Sequence, residues 1–162
     1  MSPAEIWKQL PIDVRVAAAD AFWRDDQSQD IEMQHAEAVM TLARRLNFRP
    51  KSLQALPIER RAKQLAQLND VSDAIATRAL IAFHFAARRP LMGAFLDALG
   101  IAHDQGLITA EQVTPPGREA LQAAAERLKG SFPDADVALY LRTLSALDGD
   151  TWAGLDGLFP TS

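Results

Sequence analysis

The residues of this 162-residue chain whose types and spacing could do chemistry are three histidines, one misplaced arginine and one dense group of cations. Glu32-Met33-Gln34-His35 has the Glu-x-x-His spacing of carboxylate-bridged di-metal bundles, since residues three apart share a helix face. Such a centre needs a second pair and two further glutamates. Neither His84 nor His103 has a glutamate three residues before it. The expected role of His35 is therefore a local hydrogen bond on an inner helix face, and no metal ligand is assigned.

Arg78 falls in the middle of the apolar surface of the 71–88 helix. A guanidinium keeps its charge, so it needs a partner or a route for its stem to reach water. Glu32 and Asp97 are the candidate partners. His84 falls with Asp73, Thr77 and Arg88 on the narrow polar strip of the same helix. It titrates near neutrality, but Asp73 lies three turns away, too far to orient it as a general base. A partly exposed histidine between Phe83 and Phe85 is the plainer expectation. Arg78 and His84 together define a ligand cleft only if the helices leave a space between them.

His103-Asp104 lies in the longest stretch without a regular pattern, where functional residues concentrate. Adjacent side chains seldom form a competent acid–base pair, and Ile101, Leu107 and Ile108 read as packing for a surface loop. No nucleophile motif or Gly-rich phosphate loop is present. The absence of cysteine excludes disulfides, thiolate zinc sites and a cysteine nucleophile. No catalytic residue and no cofactor are assigned.

The most pointed signal is basic. Arg44, Arg45, Arg49, Lys51, Arg60, Arg61 and Lys63 crowd one stretch in which Glu59 is the lone acid. Charge runs usually mark solvated helix faces. This one is set apart by its concentration in a chain of formal net charge −4, and by its arginines, which suit planar contacts to carboxylates and phosphates. The C-terminal third is acidic: Arg118, Arg127, Lys129 and Arg142 are its only cations, outnumbered by carboxylates. That third is itself a candidate to lie against the basic stretch.

Helices are the elements that must position these groups. Ser2-Pro3 reads as an N-cap with proline at the first helical position, and Pro11 starts a second helix to Arg24 with Val14, Ala18, Ala21 and Phe22 inward. A third runs over 29–46, with Ile31, His35, Ala38, Val39, Leu42 and Leu46 inside, and Arg49-Pro50 breaks it. A loose turn at 51–56 leads to a fourth, opened by Pro57 and striped by Ile58, Ala62, Leu65 and Leu68. Residues 71–88 are apolar over most of their circumference, which predicts a helix covered from several sides. Arg89-Pro90 ends it. A short helix then closes on Gly100, a suitable C-cap, and 101–115 reads as irregular with one turn at 110–113. Helices over 116–129 and from 134 to 147 follow, and a last one over 150–158 is anchored by Trp152, Leu155 and Phe159.

No segment alternates with period two, so the fold class is all-α: a single domain, residues 1–162, built as an orthogonal or helical-hairpin bundle of about seven to nine helices. The expected hairpins cover 11–47, 57–88 and 116–148. Leu10-Pro11-Ile12-Asp13-Val14-Arg15 is echoed by Leu56-Pro57-Ile58-Glu59-Arg60-Arg61, a partial repeat compatible with HEAT-like, α-solenoid-like stacking or with a closed bundle. The N-terminus lacks the pattern of a signal peptide, and the apolar run of 71–87 carries Asp73, Arg78 and His84, too charged for a bilayer span. The sequence reads as a soluble cytoplasmic protein without a membrane partner.

These features point to a non-catalytic interaction or adaptor module that docks an acidic protein through the face bearing the seven cations. Two other classes are carried beside it. One is a small-ligand-binding protein or enzyme with an interhelical cleft near Arg78 and His84. The other is a nucleic-acid-associated helical protein, which the negative net charge disfavours.

Overall fold

A computed structural model describes residues 1–158 of the chain. It is all-α apart from one small hairpin, and it divides into two compact units: Met1–Ala86, and a second from Ala87 onward. The division falls at the end of the sixth helix.

The first unit contains α1 (Pro3–Gln9), α2 (Ile12–Arg24), α3 (Ile31–Leu46), α4 (Pro50–Ala55), α5 (Ile58–Ala66) and α6 (Asp73–Ala87). Their starts follow local chemistry. The Ser2 hydroxyl accepts from the Glu5 N–H while the Glu5 carboxylate accepts from the Ser2 N–H, a complete capping box ahead of Pro3. The Ser72 hydroxyl accepts from the Ile75 N–H at 3.2 Å and caps α6. Residues 50–55, expected as one loose turn, form a helix because Pro50 supplies the preset φ at its start and Leu53 is driven inward, fully buried.

The two Leu-Pro-Ile copies are superimposable in their local geometry. Leu10 and Leu56 are C-caps with nearly equal backbone angles, φ −64 ψ 139 and φ −67 ψ 144, and each donates its N–H back to the residue three before it. Pro11 and Pro57 then open α2 and α5, and these two helices form the principal packing pair of the unit. The echo in sequence is thus a pair of matched helix starts packed against each other.

The inner face of α2 is rotated from the one expected: Ala18 and Phe22 are buried as expected, Val14 and Ala21 are only half-buried, and Arg15, Ala19 and Trp23 are buried in addition. With Trp7, Leu42, Leu53, Leu65, Ile75 and Leu80 these residues build the core of the unit. Residues on α6 buried in the same way are Ile75, Ala76, Ala79, Leu80, Phe83 and His84. Ala74, Ala86 and Ala87 are exposed, so small apolar residues made the helix look more enclosed than it is.

The second unit contains α7 (Arg89–Leu99), the antiparallel strands β1 (His103–Asp104) and β2 (Leu107–Ile108), α8 (Arg118–Leu128), α9 (Asp134–Leu147) and a 3-10 turn over Ala153–Leu155. Phe95 packs edge-on against Tyr140 with ring centroids 5.7 Å apart, and Trp152 lies 6.1 Å away on the other side. Burial among these rings pushes the Tyr140 phenol above its ordinary pKa. The last helix expected over 150–158 is only that 3-10 turn, held by the buried Trp152 and Leu155; Phe159 lies outside the described residues.

Within the stretch expected to be irregular, 103–108 form a β-hairpin of two-residue strands, while 109–115 has no regular element and no turn of helix at 110–113. Gln105 (φ 48) and Gly106 (φ 91) occupy the corner, both left-handed as a tight hairpin requires. Gly106 is also pressed on Met92, where a Cβ would stand 2.7 Å from the Met92 Cβ. Among the described residues no helix is long and apolar enough to cross a membrane.

Candidate functional site

The seven cations of 44–63 arrive on four successive pieces of the first unit. Arg44 and Arg45 end α3, Arg49 precedes α4, Lys51 lies on α4, and Arg60, Arg61 and Lys63 lie on α5. All are exposed except Arg61, which is half-buried. None forms an ion pair among the described residues. Glu59, the one carboxylate in the stretch, faces away: its Oε1 accepts from Arg24 Nη2 at 2.9 Å, and Arg24 also holds Asp20. Its own backbone N–H and Arg24 together hold the Glu59 carboxyl below the usual carboxylate range.

Arg61 differs from the other six. Its Nε donates to the Leu56 carbonyl at 3.1 Å, and its guanidinium lies 5.3 Å from the centre of the Trp23 ring. It is built into the turn between α4 and α5, and contributes to the face mainly by position. Arg44 is anchored more lightly, with Nε donating to the Met40 carbonyl one turn back at 3.3 Å.

Arg44 and Arg45 also line a cavity of about 320 Å³, together with Thr41 and the turn formed by Asp70, Val71 and Ser72. Asp70, itself part of the lining, also lies 3.5 Å from Lys8 Nζ.

The other sequence candidates sit as follows. His35 Nε2 donates to the Phe22 carbonyl at 2.7 Å and the ring packs edge-on against Phe22, so it is the local structural histidine expected. Glu32 beside it is exposed, and no group of three or more metal-ligating side chains is found among the described residues. Arg78 is half-buried and makes no hydrogen bond or ion pair among the described residues; Glu32 is not its partner. His84 is 2% exposed, not partly exposed, and packs on Phe83 with centroids 5.3 Å apart. Asp73, on the same polar strip, accepts from the Ala4 N–H at 2.9 Å.

His103 pairs not with its neighbour Asp104 but with Asp97, whose Oδ1 lies 2.7 Å from Nε2. Its Nδ1 accepts from the Gly106 N–H at 3.1 Å, closing the hairpin corner. Both ring nitrogens are thereby committed to structure.

The buried arginine that matters is Arg15, which sequence reasoning missed. Only 7% exposed, its Nη1 donates to the Ala66 carbonyl and to Asn69 Oδ1, and its Nη2 donates to the Lys8 carbonyl at 2.9 Å. It also lies 5.7 Å from the Trp7 ring centre, and burial lowers its pKa from the ordinary value. Positions 15, 18, 19 and 22 form an i, i+3, i+4, i+7 stripe, so the signal was a cation at the first place of an otherwise apolar pattern.

No family model, curated protein or solved structure matches the chain. Fold and surface therefore stand alone: an all-α protein whose first unit carries seven cations over 44–63 that form no ion pair among the described residues.

Proposed function

We propose that the first unit is a non-catalytic docking module that binds an acidic protein surface through Arg44, Arg45, Arg49, Lys51, Arg60 and Lys63, with Arg61 fixing the turn that presents them. The observation that carries this reading is that none of these cations has an ionic partner among the described residues while Glu59 is withdrawn by Arg24. Left unpaired on one face, such charges steer an oppositely charged partner and set its register. The matched starts of α2 and α5 support a repeated helical framework of the kind interaction modules use.

The test is equilibrium binding of partners captured from a lysate, comparing wild type with an Arg44→Glu, Arg60→Glu, Lys63→Glu variant. Loss of a defined acidic protein from the variant supports the reading. Nucleic acid captured instead, and released steeply by salt, would replace it. Arg61 is left intact because its substitution would disturb the fold as well as the charge.

A further inference from the structure

Arg89, Met92, Gly93 and Asp97 fall on one face of α7, at i, i+3, i+4 and i+8, and each meets the 103–108 hairpin. Arg89 Nη1 donates to the Gln105 carbonyl at 3.2 Å, and Gly106 is seated on Met92. Asp97 Oδ1 accepts from His103 Nε2 at 2.7 Å. The His103 ring lies over Gly93, its Cε1 3.2 Å from the place a Cβ there would take, so glycine gives the ring its seat. Nδ1 accepts from the N–H of the buried Gly106 at 3.1 Å. A ring that donates at Nε2 and accepts at Nδ1 is neutral, with its one proton on Nε2.

We infer that the hairpin is a pH-sensitive latch on α7, closed by neutral His103 and released at the Gly106 corner when the ring takes a second proton. An imidazolium is a donor at both nitrogens, so its Nδ1–H would meet the Gly106 N–H and a hydrogen bond would become a repulsion. Neither group has room to turn aside, since the ring is against Gly93 and the Gly106 backbone against Met92. Asp97 and Arg89 face this corner from α7, and the exposed Asp104 adjoins it on β1. The two carboxylates favour the imidazolium and Arg89 opposes it. Asp97 is 74% exposed, and an ion pair so open to water adds little. A buried N–H left without an acceptor loses its full hydration, so release outweighs the gain. The closed hairpin therefore binds fewer protons than the open one. Closure holds at high pH and weakens as pH falls through the range in which imidazoles titrate. Arg89 keeps its charge throughout that range, and its tie to Gln105 stays.

The test is amide hydrogen exchange of the whole chain, followed by NMR from about pH 8 to about pH 5. Corrected for the intrinsic rate at each pH, protection of the Gly106 amide should fall at least roughly tenfold, in step with titration of the His103 ring signals. Protection of Leu141, buried in the core of the unit, should not follow it, which separates release of the hairpin from loss of the fold. His103→Gln cannot titrate, and its Gly106 protection should be level across the range. Asp97→Asn removes the carboxylate but leaves an acceptor for Nε2–H, and its Gly106 protection should still fall with pH. Gly106 protection that stays level in wild type while the ring titrates, or that rises at low pH, would overturn the latch. So would a ring that keeps one protonation state over the range, or a pH response that survives His103→Gln or vanishes in Asp97→Asn.

Discussion

Arg24 Nη2 stands 2.9 Å from Glu59 Oε1, and that contact removes the one carboxylate from the basic stretch. The two side chains are half or more exposed, at 51% and 67%, so the pair does little for stability. Its consequence is electrostatic. Arg24→Ala should release Glu59 toward its neighbours Arg60 and Lys63 and weaken binding of an acidic partner about two- to threefold. Glu59→Gln in the same background should restore it. A double-mutant cycle on binding affinity measures the coupling directly.

Arg15 carries the opposite kind of role. Its guanidinium satisfies the Ala66 and Lys8 carbonyls and Asn69 in a buried site, tying α2 to the segment after α5. Arg15→Ala should destabilise the first unit by about 3 kcal/mol, since buried acceptors are left without donors. Arg15→Lys should recover only part, because an ammonium cannot reproduce the planar fork. Urea unfolding of the three proteins gives the comparison.

Those two arginines mark how far the sequence could be read. Helix starts were legible where a cap or proline sets them locally: Ser2-Pro3 and Pro57 sit where expected. The inner face of α2 was not, because alanines at 17, 18, 19 and 21 give no contrast around the wheel. Arg15 was passed over for the same reason, and Arg78 drew attention instead. The hairpin was hidden by its length. Two-residue strands give no alternation to detect, and the corner needs a left-handed Gln105 that few would place beside Gly106 without knowing the chain reverses there. The histidine partner Asp97 lay on the preceding helix, beyond the reach of a neighbour-based reading. The basic stretch was plain in the sequence, but its lack of counterions and its cavity belong to tertiary structure.

Acid sensitivity should trace partly to Asp25. Burial would push its carboxyl up, but the Ser28 hydroxyl and the Gln27 and Ser28 N–H groups donate to it and hold it below its ordinary value. A carboxyl with a depressed folded-state pKa contributes stability above its unfolded pKa and loses it as pH falls through the folded one. Stability should therefore decline as pH drops below about 4. Asp25→Ala should flatten that decline, read as a smaller slope of unfolding free energy against pH.

Gly106 is held at φ 91 and faces Met92. Gly106→Ala should cost more than about 1 kcal/mol, combining the left-handed backbone with a Cβ that has no room. Gly100→Ala shares the positive φ but has open space, so the difference between the two variants isolates the packing against Met92. Thermal unfolding of both variants checks this.

The central claim is that unpaired cations of the first unit dock an acidic protein. The most direct measurement is the affinity of a captured partner, purified, for wild type and for the Arg44→Glu, Arg60→Glu, Lys63→Glu variant at low and moderate salt. The account predicts a loss of at least roughly tenfold in the variant at low salt, and weaker binding of wild type as salt rises. Equal affinities for the two proteins at both salt concentrations would contradict it.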